Sequence, residues 1–267
     1  MSGLFGKELR SKRTATLAYC LAVFMFVLLY TSIFPTFQKQ SASFGKIFDS
    51  LPKGFSNSVG VGLNTFSDVQ HFLSIELFTF LWPILAVLIS VSTIGNSIAG
   101  EVERGTMGTL LSLQLGRAKI YWTKYFVGVL MILAFTCSSI IAAMPLASLF
   151  GLDYSPKAFL LTAVICFTFA LAVYSFAAML SSIFNEKSRV YAICGGLLMM
   201  MYVANIVSGL VKDLEFFKYG SIFYYFTARQ TLGEGHLNLT HLLVLAIPVL
   251  IFSLAGFVIF KRKDIAV

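Results

Sequence analysis

Apolar residues dominate six stretches of the chain, and each stretch is long enough to cross a membrane as a helix. No Asp, Glu, Lys or Arg occurs in residues 14–38, 77–100, 125–152, 158–185, 190–211 or 235–260. A hydrocarbon core of about 30 Å requires about 20 apolar helical residues, which every stretch supplies. The pattern therefore predicts six membrane-spanning helices, at about 15–35, 77–98, 125–148, 158–182, 190–210 and 240–260.

The fold class predicted from this pattern is an all-α integral membrane bundle. Backbone groups in lipid must be hydrogen-bonded within the protein, as in helices and closed barrels. A barrel would show alternating segments of about ten residues, whereas these stretches are continuously apolar. Composition agrees, because 58% of the residues are hydrophobic and only 12% are charged, against about 25% charged in a soluble domain.

The distribution of basic residues predicts the orientation of the bundle. If the amino terminus is cytoplasmic, the inner pieces carry 13 Lys and Arg in 54 residues and the outer loops carry 7 in 79. The inner pieces are then 1–14, 99–124, 183–189 and 261–267. This asymmetry follows the positive-inside rule and places both termini in the cytoplasm. The net charge of +8 is therefore interpreted as topology, and no nucleic-acid partner is expected.

The connections between the spans divide the chain into short turns and three longer segments. The outer loop 36–76, the cytoplasmic segment 99–124 and the outer segment 211–239 are long. The inner turn 185–189 is short and requires antiparallel neighbours. Because no soluble domain boundary is visible, residues 1–267 are predicted to form a single transmembrane domain.

The cytoplasmic segment contains a candidate helix between Gly100 and Arg117. Glu101 and Glu103 lie near its start, and Arg117 follows its end, which suits the helix dipole. One interpretation is a surface helix that links two spans. The other is a docking element for a cytoplasmic partner, because a charged helix held between two rigid spans can transmit force.

The residues of this segment resemble a known family. The run Ile98-Ala-Gly-Glu-Val-Glu-Arg-Gly-Thr106, followed by Leu110-Leu-Ser, Arg117 and Lys124, closely resembles the loop after the second helix in type-2 ATP-binding cassette (ABC) transporter permeases. The ending Phe260-Lys-Arg-Lys-Asp264-Ile is similar to the usual close of that family. The resemblance in span number and loop length extends over the whole chain.

The resemblance implies a six-helix half-transporter that pairs with a second copy or a paralogue and with separate ABC ATPase subunits. The family's coupling helix corresponds to Glu101, Glu103, Arg104, Gly105, Thr106, Leu110, Leu111 and Arg117. Glu186 and Lys187, in the short inner turn, are further candidates for contact with the ATPase. Family members often have Pro where this chain has Gln114, so the helix is expected to end differently here.

The sequence carries no ATP-binding device of its own. No G-x-x-x-x-G-K-[S/T] phosphate-binding loop occurs, so ATP and Mg are expected in the partner subunit and no cofactor in this chain. The predicted spans also contain no Asp, Glu, Lys or Arg, and Glu76 lies only at the edge of the second span. Coupling through a buried carboxylate relay is therefore disfavoured.

Aromatic residues are concentrated before the last span. Seven of the eleven positions from 216 to 226 are Phe or Tyr. One interpretation is an aromatic belt at the membrane interface. The other is a pair of short re-entrant helices that cap the transport path, with Phe223, Tyr224, Tyr225 and Phe226 as a possible outer lid. The two interpretations are compatible.

Two other functions remain open at this stage. An intramembrane enzyme is disfavoured, because the three histidines form no H-E-x-x-H pattern, and no catalytic or metal-binding residues are predicted. A non-transporting membrane scaffold or immunity-type protein is the other alternative. The leading hypothesis is a multi-pass permease subunit of an ABC exporter in the plasma membrane.

Overall fold

The structure, a computed structural model, describes residues 2–39, 69–112, 116–150 and 154–263. Within these residues the chain is helical and contains no strand. In chain order the helices are α1 (Ser2–Lys39), α2 (Val69–Glu103), α3 (Thr106–Ser112), α4 (Arg117–Leu149), α5 (Pro156–Ile183), α6 (Lys187–Leu210), α7 (Ile222–Tyr225), α8 (Ala228–Glu234) and α9 (Leu239–Arg262).

Six of these helices, α1, α2, α4, α5, α6 and α9, are long and apolar enough to cross a membrane. This result confirms the all-α fold with six candidate spans. Most of the predicted outer loop 36–76 lies outside the described residues, as does Gln114. A 3-10 helix, Lys212–Gly220, precedes α7 in the predicted outer segment.

Several helices extend beyond the apolar stretches that predicted them. The first begins at Ser2 rather than near 15, and α4 begins at Arg117 rather than near 125. Lys, Arg and Glu are good helix formers, so a helix can continue through the charged residues that flank an apolar stretch. Hydropathy therefore identifies only the apolar part of a helix, the part suited to the hydrocarbon core of the membrane.

The bundle is built around α5. It packs most extensively against α9, and also against α2, α4 and α8. In α2, α4 and α5 more than half of the most apolar window is buried, against less than a quarter in α1, α6 and α9. The close approach of α9 to α5 depends on Gly256, where a Cβ atom would lie 3.1 Å from Cα of Met179. Small residues at such positions let helix backbones approach.

Helix α2 changes its hydrogen-bonding pattern along its length. Residues Ser74–Leu81 form a π-helical segment, in which the Thr79 hydroxyl donates to the carbonyl of Ser74 at 2.6 Å. Pro83 follows, and its missing N–H interrupts an α-helical pattern. Trp82, at this junction, is fully buried.

The long helices run alternately up and down, so their termini form two distinct ends. The charged end contains the start of α1, the chain around α3 and the last residues of α9, with Glu8, Glu101, Lys124 and Lys263. The aromatic end contains residues 212–234. These two ends hold all the residues proposed from the sequence.

Candidate functional site

Lys124 of α4 is fully buried, and its ammonium group pairs with two carboxylates. Its Nζ donates to Oε1 of Glu101 at 2.7 Å and also to Oε1 of Glu8. A charge removed from water requires partners of opposite sign. These bonds therefore hold α1, α2 and α4 together at the charged end.

Lys12 adds a second cation to this cluster. It lies one turn after Glu8 on α1, and its ammonium donates to the carbonyl of Thr93 at 2.6 Å. Two ammonium groups thus balance two carboxylates. The second oxygen of Glu101, Oε2, is buried and has no hydrogen-bond partner within the part of the chain that the structure describes.

Glu103 connects the end of α2 to the start of α6. Its Oε2 accepts a hydrogen bond from the backbone N–H of Lys187 at 3.0 Å. A helix start is a favourable place for a carboxylate, because unpaired N–H groups and the helix dipole point towards it. The segment 99–124, which follows the second span, is thereby joined to the short turn 185–189, which follows the fourth span. Glu186 pairs with Arg189 at 2.9 Å on the exposed surface beside it.

The chain between α2 and α3 forms an exposed tip, defined by residues Glu103, Arg104, Gly105 and Thr106. Gly105 has a φ of +72°, a left-handed conformation that glycine adopts readily at the end of a helix. The Arg104 guanidinium donates to the carbonyl of Asn96 at 3.4 Å. The Thr106 hydroxyl donates to the carbonyl of Glu101 at 3.2 Å. These bonds fold the tip back onto α2.

The short helix α3 is anchored by apolar side chains. Met107 is fully buried and Leu110 is 8% exposed. The side chain of Leu111 lies outside the described residues. The single helix expected over residues 100–117 is interrupted: within the described residues, its first part is the end of α2, which stops at Glu103, and the next part is α3, Thr106–Ser112. Burial of Met107 and Leu110 fixes the tip against the bundle, because these side chains leave water only in that position.

Arg117 contacts the end of α9 instead of the exposed tip. Its Nη1 donates to the carbonyl of Lys261 at 3.3 Å and to that of Lys263. Lys263 in turn donates from Nζ to the carbonyl of Phe184 at 3.0 Å. Burial lowers the pKa of Lys263 from 10.5 to about 8. Arg117 and Lys263 together tie α9 to α4 and α5.

At the aromatic end, two of the proposed lid residues pack into the bundle. The ring of Phe226 stacks on Trp82, with centroids 5.8 Å apart and an interplanar angle of 16°, and lies 4.5 Å from that of Phe169. Phe223 lies 5.4 Å from Phe169 and 5.1 Å from Tyr202. The short helix α7, with Phe226 directly after it, thus packs against α2, α5 and α6.

The other two lid residues face the last span. The rings of Tyr224 and Tyr225 lie 5.6 and 5.4 Å from the imidazole of His241 on α9. The Tyr225 hydroxyl donates to the carbonyl of Tyr219 at 3.1 Å. By contrast, Phe216 is 65% exposed. The segment therefore combines inward packing with exposed rings of the kind found at membrane interfaces.

The comparisons with known proteins identify the family. The family model described as ABC-2 family transporter protein matches residues 3–265, nearly the whole chain. The chain belongs to this family. Among curated proteins, a search finds none that matches it. ABC-2 permeases are the membrane subunits of transporters, and the family implies an ABC ATPase as the partner of this permease.

The structure divides the expected coupling residues of the permease into exposed and internal groups. Glu103, Arg104, Gly105 and Thr106 are exposed at the tip, and Glu103 is brought to Lys187. Glu101 instead lies in the internal ion pairs. A role of Glu101 in docking stays a prediction, and so do the docking roles of the other residues carried over from the family.

Sequence analysis missed the internal partners Glu8, Lys12 and Lys124 of the permease. Each was assigned to a flanking charged segment, and the predicted spans contained no Asp, Glu, Lys or Arg. A weak signal existed, because Glu8 and Lys12 are four residues apart on one helix face. Nothing local connects them to Lys124, more than one hundred residues later.

The described residues of the permease contain no group of three His, Cys, Asp or Glu side chains that could hold a metal ion. The charged end instead offers hydrogen bonds and ion pairs between helices.

Proposed function

We propose that the charged end of the permease faces the cytoplasm, with both termini inside. The excess of Lys and Arg in its segments supports this orientation, since short cytoplasmic loops are enriched in basic residues. The six long helices would then cross the plasma membrane, and the aromatic end would lie at the outer surface. In this orientation the exposed tip is accessible to a cytoplasmic ATPase.

ATPase subunits would dock on the segment 99–124, with the tip as the principal contact and Glu186 and Lys187 beside it. ATP and Mg would be bound in those subunits, because this chain has no phosphate-binding loop. Glu103, Arg104, Gly105 and Thr106 suit docking because they are exposed while Met107 and Leu110 are buried beneath them.

The hydrogen bond between Glu103 and Lys187 is the observation that carries this mechanism. A push on the tip would move the end of α2 and the start of α6 together, because the Glu103 carboxylate accepts a hydrogen bond from the backbone N–H of Lys187 at 3.0 Å. The displacement would also reach α1 and α4 through Glu101 and Lys124. The helices that line a transport path would thereby move when the ATPase moves.

We further propose that two permease subunits, identical or paralogous, enclose the path and export an as yet unassigned substrate. The packing of Phe223 and Phe226 against three spans supports a role for α7 as an outer lid. Motion of the spans would then open the lid outward.

A charge reversal at the tip tests the docking role. Glu103→Lys should reduce co-purification with the ATPase and ATP-driven efflux from cells or vesicles. Glu234→Lys is the matched control, because Glu234 is also exposed but lies at the aromatic end. Normal assembly and efflux in Glu103→Lys would contradict the coupling role. Assembly without any ATP-dependent transport in the unaltered protein would instead favour a scaffold.

A further inference from the structure

One side of α1, called its outward face below, is exposed over most of the length of the helix. Successive residues of a helix are rotated by about 100°, which places the members of this face within about 120° of the helix circumference. Glu8 and Lys12, which form the internal contacts at the charged end, lie on the opposite side, where Val23 is fully buried. The outward face consists of Lys7, Arg10, Arg13, Thr14, Leu17, Leu21, Phe24, Met25 and Leu28.

The three cations on this face have no partner of opposite charge. Lys7, Arg10 and Arg13 are exposed, and none of them forms a hydrogen bond or an ion pair with another described residue. Glu8 is the only Asp or Glu among residues 1–39, and it is paired with Lys124. Residues three positions apart are neighbours on a helix surface, and like charges there repel each other. A bound anion would therefore stabilise this arrangement.

The basic part of the outward face continues directly into an apolar part. Leu17 follows Arg13 by four positions and Leu21 follows by four more, so the three lie in one row along the helix. Leu17 and Leu21 are 61% and 60% exposed. From Lys7 to Arg13 the helix rises about 9 Å, close to the depth of about 5–7 Å that headgroups occupy on each side of a bilayer. When the uncharged stretch 14–38 spans the hydrocarbon core, the cations therefore lie level with the headgroups.

This combination of charge and apolar surface favours a lipid over a protein as the occupant. A cytoplasmic protein could cover the cations, but it would not reach Leu17 and Leu21 within the membrane. An identical second subunit, related by a two-fold axis, would bring the same face against itself. Arg10 and Arg13 would then meet like charges at the same depth. An anionic molecule with an apolar chain matches both parts of the face.

We propose that the outward face of α1 binds an anionic phospholipid. Its phosphate would accept hydrogen bonds from the guanidinium groups of Arg10 and Arg13, which suit phosphate geometry, and from the hydroxyl of Thr14. An acyl chain would lie along Leu17 and Leu21. A zwitterionic lipid would bring a cation of its own towards the basic residues. The face shares no residue with the exposed tip, so the proposal does not depend on the docking of an ATPase.

A tryptophan at position 21 reports which lipid lies against this face. Leu21→Trp keeps a large apolar side chain at an exposed position, and a brominated acyl chain in contact with the indole quenches its fluorescence. The purified permease is reconstituted in dioleoyl phosphatidylcholine with increasing fractions of dibrominated phosphatidylglycerol or dibrominated phosphatidylcholine. Quenching of the two native tryptophans, Trp82 and Trp122, is measured in the unaltered protein and subtracted.

Phosphatidylglycerol should bind at this position at least about fivefold more tightly than phosphatidylcholine. That factor corresponds to the contribution of one basic residue near a membrane surface. Both lipids carry a phosphate and the same acyl chains, so the difference between them reports net charge. Equal quenching by the two brominated lipids would overturn the proposal.

Two double variants locate the site. Arg10→Gln with Arg13→Gln should remove most of the preference for phosphatidylglycerol at Leu21→Trp. The control, Lys119→Gln with Lys261→Gln, also removes two exposed charges from the charged end, but on α4 and α9, and should retain the preference. An unchanged preference in the arginine pair, or an equal loss in the control, would contradict a site on α1.

The same samples distinguish a lipid from a protein occupant. If neither brominated lipid quenched the tryptophan at position 21, another protein surface would cover the face and the proposal would be wrong. The arginine pair is also tested for co-purification with the ATPase. Loss of the ATPase together with an unchanged lipid preference would assign Arg10 and Arg13 to protein docking and would equally overturn the proposal.

Discussion

Glu103 and Lys187 are joined by a hydrogen bond in which the backbone N–H of Lys187 donates to Oε2 of Glu103 at 3.0 Å. The two residues are 84 positions apart, on the connections that follow the second and the fourth spans. Because the donor is a backbone group at the first residue of α6, the bond joins the tip to the helix itself instead of to a mobile side chain.

Lys187→Pro should remove this hydrogen bond with little distortion of α6. Proline is tolerated at the first position of a helix, and the preceding residue, Glu186, already has the extended conformation that a following proline favours, with φ −114° and ψ 127°. We expect the melting temperature to fall by about 2 °C and ATP-driven efflux to decrease. Lys187→Ala is the control, because it loses the same charge but keeps the N–H. Identical efflux in the two variants would argue against transmission through this bond.

Lys124→Met should strongly destabilise the permease. The substitution leaves Lys12, among the described residues, as the one cation beside the carboxylates of Glu8 and Glu101. One carboxylate then has no counter-charge, which costs about 3–5 kcal/mol and lowers the melting temperature by about 10 °C. The loss should be visible in the thermal unfolding of detergent-solubilised protein. Adding Glu101→Gln should restore much of the stability, because Lys12 then balances the one remaining carboxylate, that of Glu8. Failure of this double variant to recover would show that shape, not charge, makes Lys124 necessary.

Gly256→Ala should weaken the packing of α9 on α5. The new methyl group would lie 2.6 Å from the Tyr121 hydroxyl and 3.1 Å from Cα of Met179, and the backbone atom cannot move without shifting a helix. Overpacking of this kind costs about 1–3 kcal/mol, or about 5 °C in melting temperature. Gly196→Ala is the control, since that exposed glycine has no atom within 4 Å of the added methyl. There we expect no loss of stability, because Ala favours helices.

Lys263 should react as a neutral amine at an unusually low pH. Burial lowers the pKa of its ammonium from 10.5 to about 8 in the folded protein. Between these two values the unfolded chain binds more protons, so this group makes stability rise with pH across that window. Below pH 8 the group is protonated in both states and adds no pH dependence.

Acetylation of Lys263, followed by peptide mass spectrometry, measures this shift directly. The pH midpoint of labelling should be about 8 in the folded permease and near 10.5 after unfolding in guanidinium. Phe184 accepts a hydrogen bond from this amine through its backbone carbonyl, so a side-chain substitution at position 184 would not remove the contact. Coincident midpoints in the folded and unfolded protein would contradict burial of Lys263.

Much of the fold could be predicted from hydropathy alone. The six apolar stretches predicted six candidate spans, because a bilayer of fixed thickness requires helices of a minimum length. The motif from Ile98 to Thr106 predicted the family, which the match over residues 3–265 confirms. The lengths of α1 and α4 were underestimated, because charged residues that favour a helix do not register as apolar.

Only part of the site could be predicted from the sequence. Sequence analysis selected Glu103 and Lys187 as neighbours of a partner, but it did not predict that they contact each other. It treated Glu101 and Arg117 as members of one exposed element, whereas Glu101 faces Lys124 and Arg117 binds the end of α9. Whether a residue at a helix end is exposed depends on which helices pack beside it. The local sequence pattern does not identify those helices.

Composition and one contiguous motif are enough to predict that this chain is a membrane bundle, which segments are charged, and which family it belongs to. The three-dimensional arrangement was needed to find that Lys124 lies between Glu8 and Glu101, that Glu103 bonds to α6, and that Phe226 stacks on Trp82. These contacts join residues from 23 to 144 positions apart. Helix packing brings them together, because the uniformly apolar spans do not encode which helix faces which.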